Sequence, residues 1–243
     1  MQNVAIVTGG GRGIGAETSR LLALKGYKVC VNYVVDAYSA EQVVGSIKAR
    51  GGDAFSFKAD VSNETEVQAM FDAVAQSYGT VTHLVNNAGV LFTQSRLHEI
   101  KIERFKTVLN TNVVSCFLCC KAFIKQATSA GAIVNVSSAA SRTGAPFEYI
   151  DYAASKGAMD ALTKGLSLEL AERQIRVNGV RPGCIYTDMH ADGGEPDRVD
   201  RLASQIPLKR GGTAEEVAQA ITWLLSEEAS YVTGSFIDIA GGN

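Results

Sequence analysis

The stretch Val4-Ala5-Ile6-Val7-Thr8-Gly9-Gly10-Gly11-Arg12-Gly13-Ile14-Gly15, close to the start of the chain, decides the fold. Its apolar, largely β-branched opening predicts a buried strand, and the glycine-rich turn leads directly into a helical pattern. Glycine permits positive φ and close approach of the backbone to a ligand, while a helix N-terminus presents free N–H groups. The stretch therefore predicts a strand, loop and helix that can hold the pyrophosphate of a dinucleotide.

Short β-branched runs alternate with helical patterns along the rest of the chain. The expected strands are residues 4–7, 29–33, 54–58, 83–86, 133–137, 176–180 and 236–239. Helical patterns end at Gly26 and Gly79, and Thr213 with Glu216 forms a capping box before the last helix. This alternation predicts an α/β fold, a Rossmann-type doubly wound parallel sheet of about seven strands with helices on both faces. No linker or repeat divides the chain, so one domain over residues 1–243 is expected.

Composition limits the partners. Of the 243 residues 46% are apolar, and the net charge is -2 with scattered Lys and Arg, which disfavours nucleic acid as a partner. No run approaches the ~18 consecutive apolar residues of a membrane-spanning helix. The N-terminus enters an apolar run without a signal-like segment, which favours a cytoplasmic location. Small molecules are the expected partners.

The cysteines predict neither a disulfide framework nor a metal site. They are odd in number, and Cys116, Cys119 and Cys120 lie at helical spacing without a nearby histidine. Buried free cysteine behaves as a small hydrophobic residue, so these three are expected to pack inside a helix.

A second group, Ser138 followed by Tyr152-Ala153-Ala154-Ser155-Lys156, carries acid–base chemistry. Tyr152 and Lys156 lie four apart and share one face of an expected helix that runs to about residue 172. An ammonium about 5 Å away favours phenolate by roughly 3 kcal/mol, so Lys156 is expected to lower the pKa of Tyr152. Tyr149 is a weaker candidate, because the residue four positions later is alanine. Ser137 competes with Ser138, and strand alternation places the two on opposite faces.

Together with the turn Asn86-Asn87-Ala88-Gly89, these motifs resemble the short-chain dehydrogenase/reductase family, in its 3-oxoacyl reductase-like or glucose dehydrogenase-like branch. The resemblance covers essentially the whole chain. Further matches are Asp60-Val61, Asn112, Pro182-Gly183 through Thr187, and Thr233-Gly234 ahead of Ala240-Gly241-Gly242.

The resemblance implies a catalytic tetrad in which Tyr152 exchanges a proton with the substrate oxygen and Ser138 holds that oxygen. Lys156 would bind the nicotinamide ribose, and Asn112 would hold a water that passes protons to solvent. The expected cofactor-binding residues are Gly9, Arg12, Gly13, Ile14, Gly15, Tyr33, Asp60, Val61, Asn87, Ala88, Gly89, Tyr152, Lys156, Pro182, Gly183, Ile185 and Thr187. Asp60 is also able to cap a turn, and the asparagines are able to satisfy loop backbone groups.

Two residues bear on the choice of nicotinamide cofactor. Enzymes that select NAD usually carry an acidic residue at the end of the second strand, where this chain has Tyr33. Arg12 offers planar donors for a 2'-phosphate, which favours NADP(H). NAD(H) stays possible, because Asp36 is close enough to repel the phosphate if its side chain turns inward.

The expected reaction is hydride transfer between NADP(H) and a carbonyl or alcohol, with reduction of a 3-oxoacyl compound or small ketone favoured. Alternatives are an NAD-dependent alcohol or sugar dehydrogenase and, from another class, a dinucleotide sensor without turnover. Residues 188–205 resemble the substrate lid of the family, and the segment from Phe147 to Asp151 is expected to enter the substrate pocket. Similarity to the family also implies a homotetramer.

Overall fold

The computed structural model of the chain describes residues 2–128 and 130–243. Its main sheet contains seven parallel strands in the order β3-β2-β1-β4-β5-β6-β9. The strands are β1 Val4–Val7, β2 Lys28–Tyr33, β3 Asp53–Lys58, β4 His83–Asn86, β5 Gly131–Val136, β6 Ile175–Pro182 and β9 Phe236–Ile239. A separate parallel pair is formed by β7 Ile185–Tyr186 and β8 Gly212–Thr213.

Helices cover both faces of this sheet. They are α1 Gly13–Leu24, α2 Ala37–Ala49, α3 Glu64–Tyr78, α4 Ile102–Leu109, α5 Ser115–Gln126, α6 Ala140–Thr143, α7 Ile150–Glu169, α8 Met189–Asp192, α9 Arg198–Ala203 and α10 Ala214–Leu225. Buried residues of α1, α2 and α10 form one core cluster, and those of α3, α5 and α7 form the other. The expected doubly wound α/β fold is confirmed.

The expected strand bounds are reproduced within one or two residues, and the differences have a common cause. β5 begins at Gly131, which pairs with Ile175 of β6, and β6 extends to Pro182, which pairs with Ile239 of β9, because these ladders continue past the β-branched runs. Helix α7 ends at Glu169, short of residue 172, since a separate 3₁₀ turn, Ala171–Arg173, follows it. The capping box of Thr213 and Glu216 is present at the start of α10.

Residues Ile102–Gln126 form one continuous helical stretch, in which the π-helical turn Asn110–Val114 joins α4 to α5. By length and composition alone this stretch is apolar enough to cross a membrane, although polar residues in the π-helical turn interrupt any run of consecutive apolar residues. Half of its apolar window, 50%, is buried inside the fold, where α5 packs against α3 and β4. The buried face, which includes the free thiols of Cys116, Cys119 and Cys120, identifies α5 as a core helix.

The fold gathers the predicted motifs at one edge of the sheet. Because all strands of the main sheet are parallel, their carboxyl ends meet at the same edge. The glycine loop follows β1, the asparagine turn follows β4 and Ser138 follows β5. The order in which successive strands are added to the sheet reverses between β1 and β4, which is the switch point where open α/β sheets bind ligands.

Candidate active site

The glycine loop is fixed by contacts that leave no room for side chains. Gly9 and Gly13 have φ values of 59° and 52°, in the left-handed region that favours glycine. The backbone N–H of Gly9 donates to Asn32 Oδ1 at 3.2 Å, a role for Asn32 that the motif does not show. A Cβ on Gly15 would lie 2.3 Å from the Gly9 carbonyl oxygen. The loop therefore keeps a bare backbone at the start of α1, as a pyrophosphate site requires.

Replacing Gly15 with alanine is expected to weaken NADPH binding at least about tenfold, because the added methyl must displace the loop backbone. A fluorescence titration of the nicotinamide measures this. Gly45→Ala is the matched control, since a Cβ there meets nothing within 4 Å in the middle of α2. Equal affinities of the two variants would refute the assignment of the loop.

The asparagine turn after β4 holds the glycine loop from the other side. Asn87 Nδ2 donates to the carbonyl oxygens of Thr8 and Gly9, at 2.9 and 3.1 Å. The backbone N–H groups of Asn87 and Ala88 both donate to Thr8 Oγ1 at 3.0 Å. A Cβ on Gly89 would lie 3.3 Å from Asn112 Oδ1 and 3.6 Å from Lys156 Nζ. The turn thus joins the glycine loop to the predicted catalytic residues.

Ser138, Tyr152 and Lys156 line one cavity of about 620 Å³ beside the glycine loop. The Ser138 hydroxyl accepts from the Ala140 N–H at 3.1 Å, which leaves its own hydrogen available for donation. Lys156 Nζ lies 5.5 Å from the centre of the Tyr152 ring. The structure therefore brings together the phenol, the ammonium and the hydroxyl that the sequence selects.

The ionisation of Tyr152 differs from the sequence expectation. Burial raises the pKa of Tyr152 to about 12, and a hydrogen bond with Ser138 lowers it only in part. The pKa of Tyr152 is thus raised and not lowered as expected, because burial is the dominant effect; Lys156 Nζ donates to the Val136 carbonyl oxygen at 2.7 Å. Burial also lowers the pKa of Lys156 to about 8. Near neutral pH Tyr152 is therefore protonated, the form that a general acid needs.

Asn112 lies at 0% exposure in the π-helical turn, a local widening of the helix that is frequent at functional sites. Its Oδ1 accepts from the Val90 N–H at 2.8 Å, and its Nδ2 donates to the Val90 carbonyl and to Ser155 Oγ. The side chain thus ties the segment after Gly89 to helix α7. The water that Asn112 is expected to hold stays a prediction.

A buried ion pair that the sequence analysis misses sets the position of α7. Asp151, directly before Tyr152, is 1% exposed and receives two hydrogen bonds from Arg104 on α4, at 2.7 and 3.2 Å. Arg104 also donates to the Thr93 carbonyl at 2.7 Å. Asp151 Oδ1 accepts the Tyr152 backbone N–H at 3.0 Å. The pair fastens the first turn of α7 to the helix that leads to Asn112.

Residues 188–205 fold over the cavity as two short helices, α8 and α9. Met189, His190, Arg198 and Leu202 from this segment line the cavity. Pro146, Glu148 and Tyr149 line it from the loop before α7, as expected for that loop. Phe147 in the same loop is exposed and does not line the cavity. The cavity walls also include residues without a sequence signal, namely Leu91, Ala139, Ala140, Arg142, Thr143, Ala145, Asp238 and Asn243.

Within the described residues 2–128 and 130–243, the carboxylate nearest in sequence to Tyr33, at the end of β2, is that of Asp36. The carboxylate of Asp36 caps α2, with Oδ1 accepting the Ser39 N–H at 2.9 Å and Oδ2 the Ser39 hydroxyl at 2.6 Å. Arg12, more than half exposed, pairs with Asp192 of the lid segment at 2.5 Å. The Asp36 carboxylate is thus bound within its own helix turn, and Arg12 is paired with the lid segment in this structure.

The expected cofactor-binding residues divide into three groups. Those that line the cavity are Ile14, Asn87, Tyr152, Lys156, Pro182, Gly183, Ile185 and Thr187. Those that form or contact the glycine loop are Gly9, Arg12, Gly13, Gly15 and Ala88, and Gly89 follows Ala88 and lies beside Asn112 and Lys156. Tyr33, Asp60 and Val61 lie at the ends of β2 and β3, outside the cavity. Asp60 Oδ1 accepts from the Ser62 N–H at 2.9 Å, so it caps a turn in addition to any role with adenine.

Comparisons with known proteins agree with this arrangement. A family model described as Enoyl-(Acyl carrier protein) reductase matches residues 9–243. The chain is 59% identical to "Uncharacterized oxidoreductase YgfF" of Escherichia coli, over 98% of this chain and 99% of that protein. It is 36% identical to "Glucose 1-dehydrogenase 2" of Bacillus subtilis, over 98% and 93% of the two chains. It is 38% identical to "3-oxoacyl-[acyl-carrier-protein] reductase FabG" of Staphylococcus aureus, over 100% and 98%.

Solved structures share the fold over nearly the full length. A dehydrogenase/reductase from Sinorhizobium meliloti superposes with a TM-score of 0.93 at 31% identity, covering 99% of this chain and 94% of that one. A short chain dehydrogenase from Burkholderia cenocepacia in complex with NADP gives a TM-score of 0.91 at 33% identity, covering 99% and 97%. With its seven-stranded sheet, glycine loop and shared cavity of Ser138, Tyr152 and Lys156, the chain belongs to the short-chain dehydrogenase/reductase family of oxidoreductases.

Proposed function

We propose that the protein is an NADP(H)-dependent carbonyl reductase that acts on a small ketone or a 3-oxoacyl compound. The observation that carries the proposal is the placement of Ser138, Tyr152 and Lys156 in one cavity next to the glycine loop. The tetrad with Asn112, the lid over residues 188–205, the homotetramer and the cytoplasmic location are parts of this proposal.

The residues present fit a dinucleotide. The bare backbone of the glycine loop suits the pyrophosphate, Lys156 suits the nicotinamide ribose, and Ile185 and Thr187 flank the nicotinamide end of the cavity. The family resemblance places adenine near Asp60 and Val61. When bound, the nicotinamide supplies or accepts the hydride of the reaction.

The chain's own residues handle the proton. Because burial keeps the pKa of Tyr152 high, its phenol is protonated near pH 7 and suits donation to a carbonyl oxygen. In this structure the Ser138 hydroxyl is hydrogen-bonded to Tyr152, and turned toward a substrate it would donate to the same carbonyl oxygen and fix its position. Lys156, with a pKa lowered to about 8, is poised to exchange a proton with Tyr152 and with solvent. A protonated Tyr152 is the form that the reduction step needs, since the carbonyl oxygen takes up a proton in that step.

The preference for NADP(H) is supported by what is absent at the end of β2. Within residues 2–128 and 130–243, the carboxylate nearest in sequence to Tyr33 is that of Asp36, which is held by Ser39 as the cap of α2. A 2'-phosphate therefore meets no free carboxylate from this segment, and Arg12 is exposed enough to meet it. The pairing of Arg12 with Asp192 is the observation that favours the alternative, an NAD-dependent alcohol or sugar dehydrogenase.

Replacing Arg12 with alanine is expected to weaken NADPH binding about tenfold and to leave NADH binding nearly unchanged, because only NADPH carries the 2'-phosphate. Titration of each nucleotide, followed by nicotinamide fluorescence, measures both affinities. Arg50→Ala, at the C-terminal end of α2, is the control for the loss of one arginine. If wild type binds NADH more tightly, the NADP(H) assignment fails and NAD-linked alcohol oxidation becomes the proposal.

A further inference from the structure

The cavity contains a polar wall, formed by Glu148, Tyr149, His190 and Arg198, in addition to Ser138 and Tyr152. Glu148 and Tyr149 belong to the loop before α7, and His190 and Arg198 belong to the lid segment. The cavity, of about 620 Å³ in total, would have to hold the nicotinamide as well as the substrate. Sharing this volume favours a compact substrate.

The charges of the polar wall cancel one another. Arg198, with a side chain 11% exposed, donates to both carboxylate oxygens of Glu148, at 3.1 and 2.5 Å, and to Glu195 at 3.0 Å. The only other arginine among the described cavity residues, Arg142, pairs with Asp238. The positive charge of each guanidinium is thus already balanced by a carboxylate of the protein, so neither offers an unpaired charge to a substrate carboxylate or phosphate. The part of the substrate that meets the polar wall is therefore uncharged.

The same wall keeps unused hydrogen-bonding capacity. A guanidinium has five N–H donors, and Arg198 uses three of them, so two are left. Each carboxylate oxygen of Glu148 accepts one bond from Arg198 and can accept another. The Tyr149 hydroxyl has no hydrogen-bond partner within residues 2–128 and 130–243, and its ring lies 5.1 Å from the Arg198 guanidinium. The wall thus offers both donors and acceptors.

His190 adds an acceptor to the wall. Its Nδ1 is buried and has no hydrogen-bond partner in the described part of the chain, while the ring also interacts with the Ile185 backbone. Burial and the nearby charge of Arg198 lower the pKa of His190, so the ring is neutral near pH 7. In the tautomer that carries its proton on Nε2, Nδ1 is an acceptor.

We propose that this polar wall selects a compact, uncharged carbonyl substrate that carries hydroxyl groups. A hydroxyl group both donates and accepts, so it matches the spare groups of Glu148, Tyr149 and Arg198. An alkyl chain of the same size would cover those groups and leave them unpaired, which is costly in a buried site. Sites built to bond a hydroxyl reject analogues that lack it far more strongly than apolar pockets discriminate by size. This inference rests on the proposed carbonyl reductase function, and it narrows the proposed substrate class to hydroxylated ketones.

The test compares two size-matched ketones, hydroxyacetone and 2-butanone, as substrates for NADPH oxidation by wild type, Glu148→Gln and Tyr149→Phe. The quantity measured is the kcat/KM for hydroxyacetone divided by that for 2-butanone. The two ketones differ in intrinsic reactivity, and this difference cancels when the ratio is compared between variants. Wild type is expected to favour hydroxyacetone. Each substitution is expected to lower the ratio about tenfold, the worth of a hydrogen bond to a charged or buried group.

Arg201→Gln is the control, because Arg201 also pairs with Glu195 in the lid but does not line the cavity. It is expected to leave the ratio unchanged. The proposal is overturned if Glu148→Gln and Tyr149→Phe also leave the ratio unchanged, or lower kcat/KM equally for both ketones. Absence of turnover with any carbonyl would instead refute the reductase function. In that case the inference is tested by equilibrium binding of the two ketones to the complex of the protein with NADPH. Tighter binding of hydroxyacetone supports the inference, and equal Kd values overturn it.

Discussion

Tyr152→Phe is expected to lower kcat/KM for carbonyl reduction by roughly 10²- to 10⁴-fold, the usual contribution of a general acid. Phenylalanine keeps the ring packed in the cavity and removes the hydroxyl that donates the proton. Affinity for NADPH is expected to stay within about twofold, because the proposed pyrophosphate contacts come from the glycine loop. Steady-state kinetics together with a fluorescence titration of NADPH separate these two effects.

Tyr231→Phe is the control for this substitution, because Tyr231 is fully exposed at 103% and does not line the cavity. A dinucleotide sensor without turnover would bind NADPH and show no carbonyl-dependent oxidation in wild type or in Tyr152→Phe. If kcat is unaffected by Tyr152→Phe, Tyr152 is not the proton donor and another residue has that role. Tyr149, the other phenol of the cavity, would be the first to test.

Local patterns made the cofactor-binding edge predictable from the sequence. The glycine loop is contiguous, and its strand before and helix after are marked by residues within a few positions. Tyr152 and Lys156 are four apart in a strongly helical segment, so their common face follows from helix geometry alone. The direction in which the Lys156 ammonium points could not be predicted from this spacing. It depends on a hydrogen bond to the Val136 carbonyl oxygen, which belongs to strand β5.

Contacts between distant segments were not predictable in this way. Arg104 and Asp151 are 47 residues apart, and Glu148 and Arg198 are 50 residues apart, with no periodic pattern that relates them. An acidic residue in the first turn of a helix is common because it complements the helix dipole, so Asp151 carried no signal of a buried partner. The walls of the substrate cavity come from such pairs. The sequence therefore indicated the chemistry more fully than the substrate.

Arg104→Met is expected to destabilise the protein by about 3–5 kcal/mol, the usual effect of removing one partner of a buried ion pair. Asp151 is 1% exposed, so its carboxylate would be left in the core without the two hydrogen bonds from Arg104. The same change releases the first turn of α7, and with it the backbone of Tyr152. Urea unfolding gives the free energy of unfolding, and kcat/KM reports the displacement of Tyr152.

The double variant Arg104→Met with Asp151→Asn tests the reason for this loss. It should be less destabilised than the sum of the two single variants, because no uncompensated charge stays buried. Lys121→Met is the control, since its pair with Glu64 is exposed and its loss should leave the free energy of unfolding nearly unchanged. Additive effects in the double variant would show that Arg104 and Asp151 act separately. If Arg104→Met lowers kcat/KM and Arg104→Lys keeps it close to the wild-type value, the ion pair acts by positioning Tyr152.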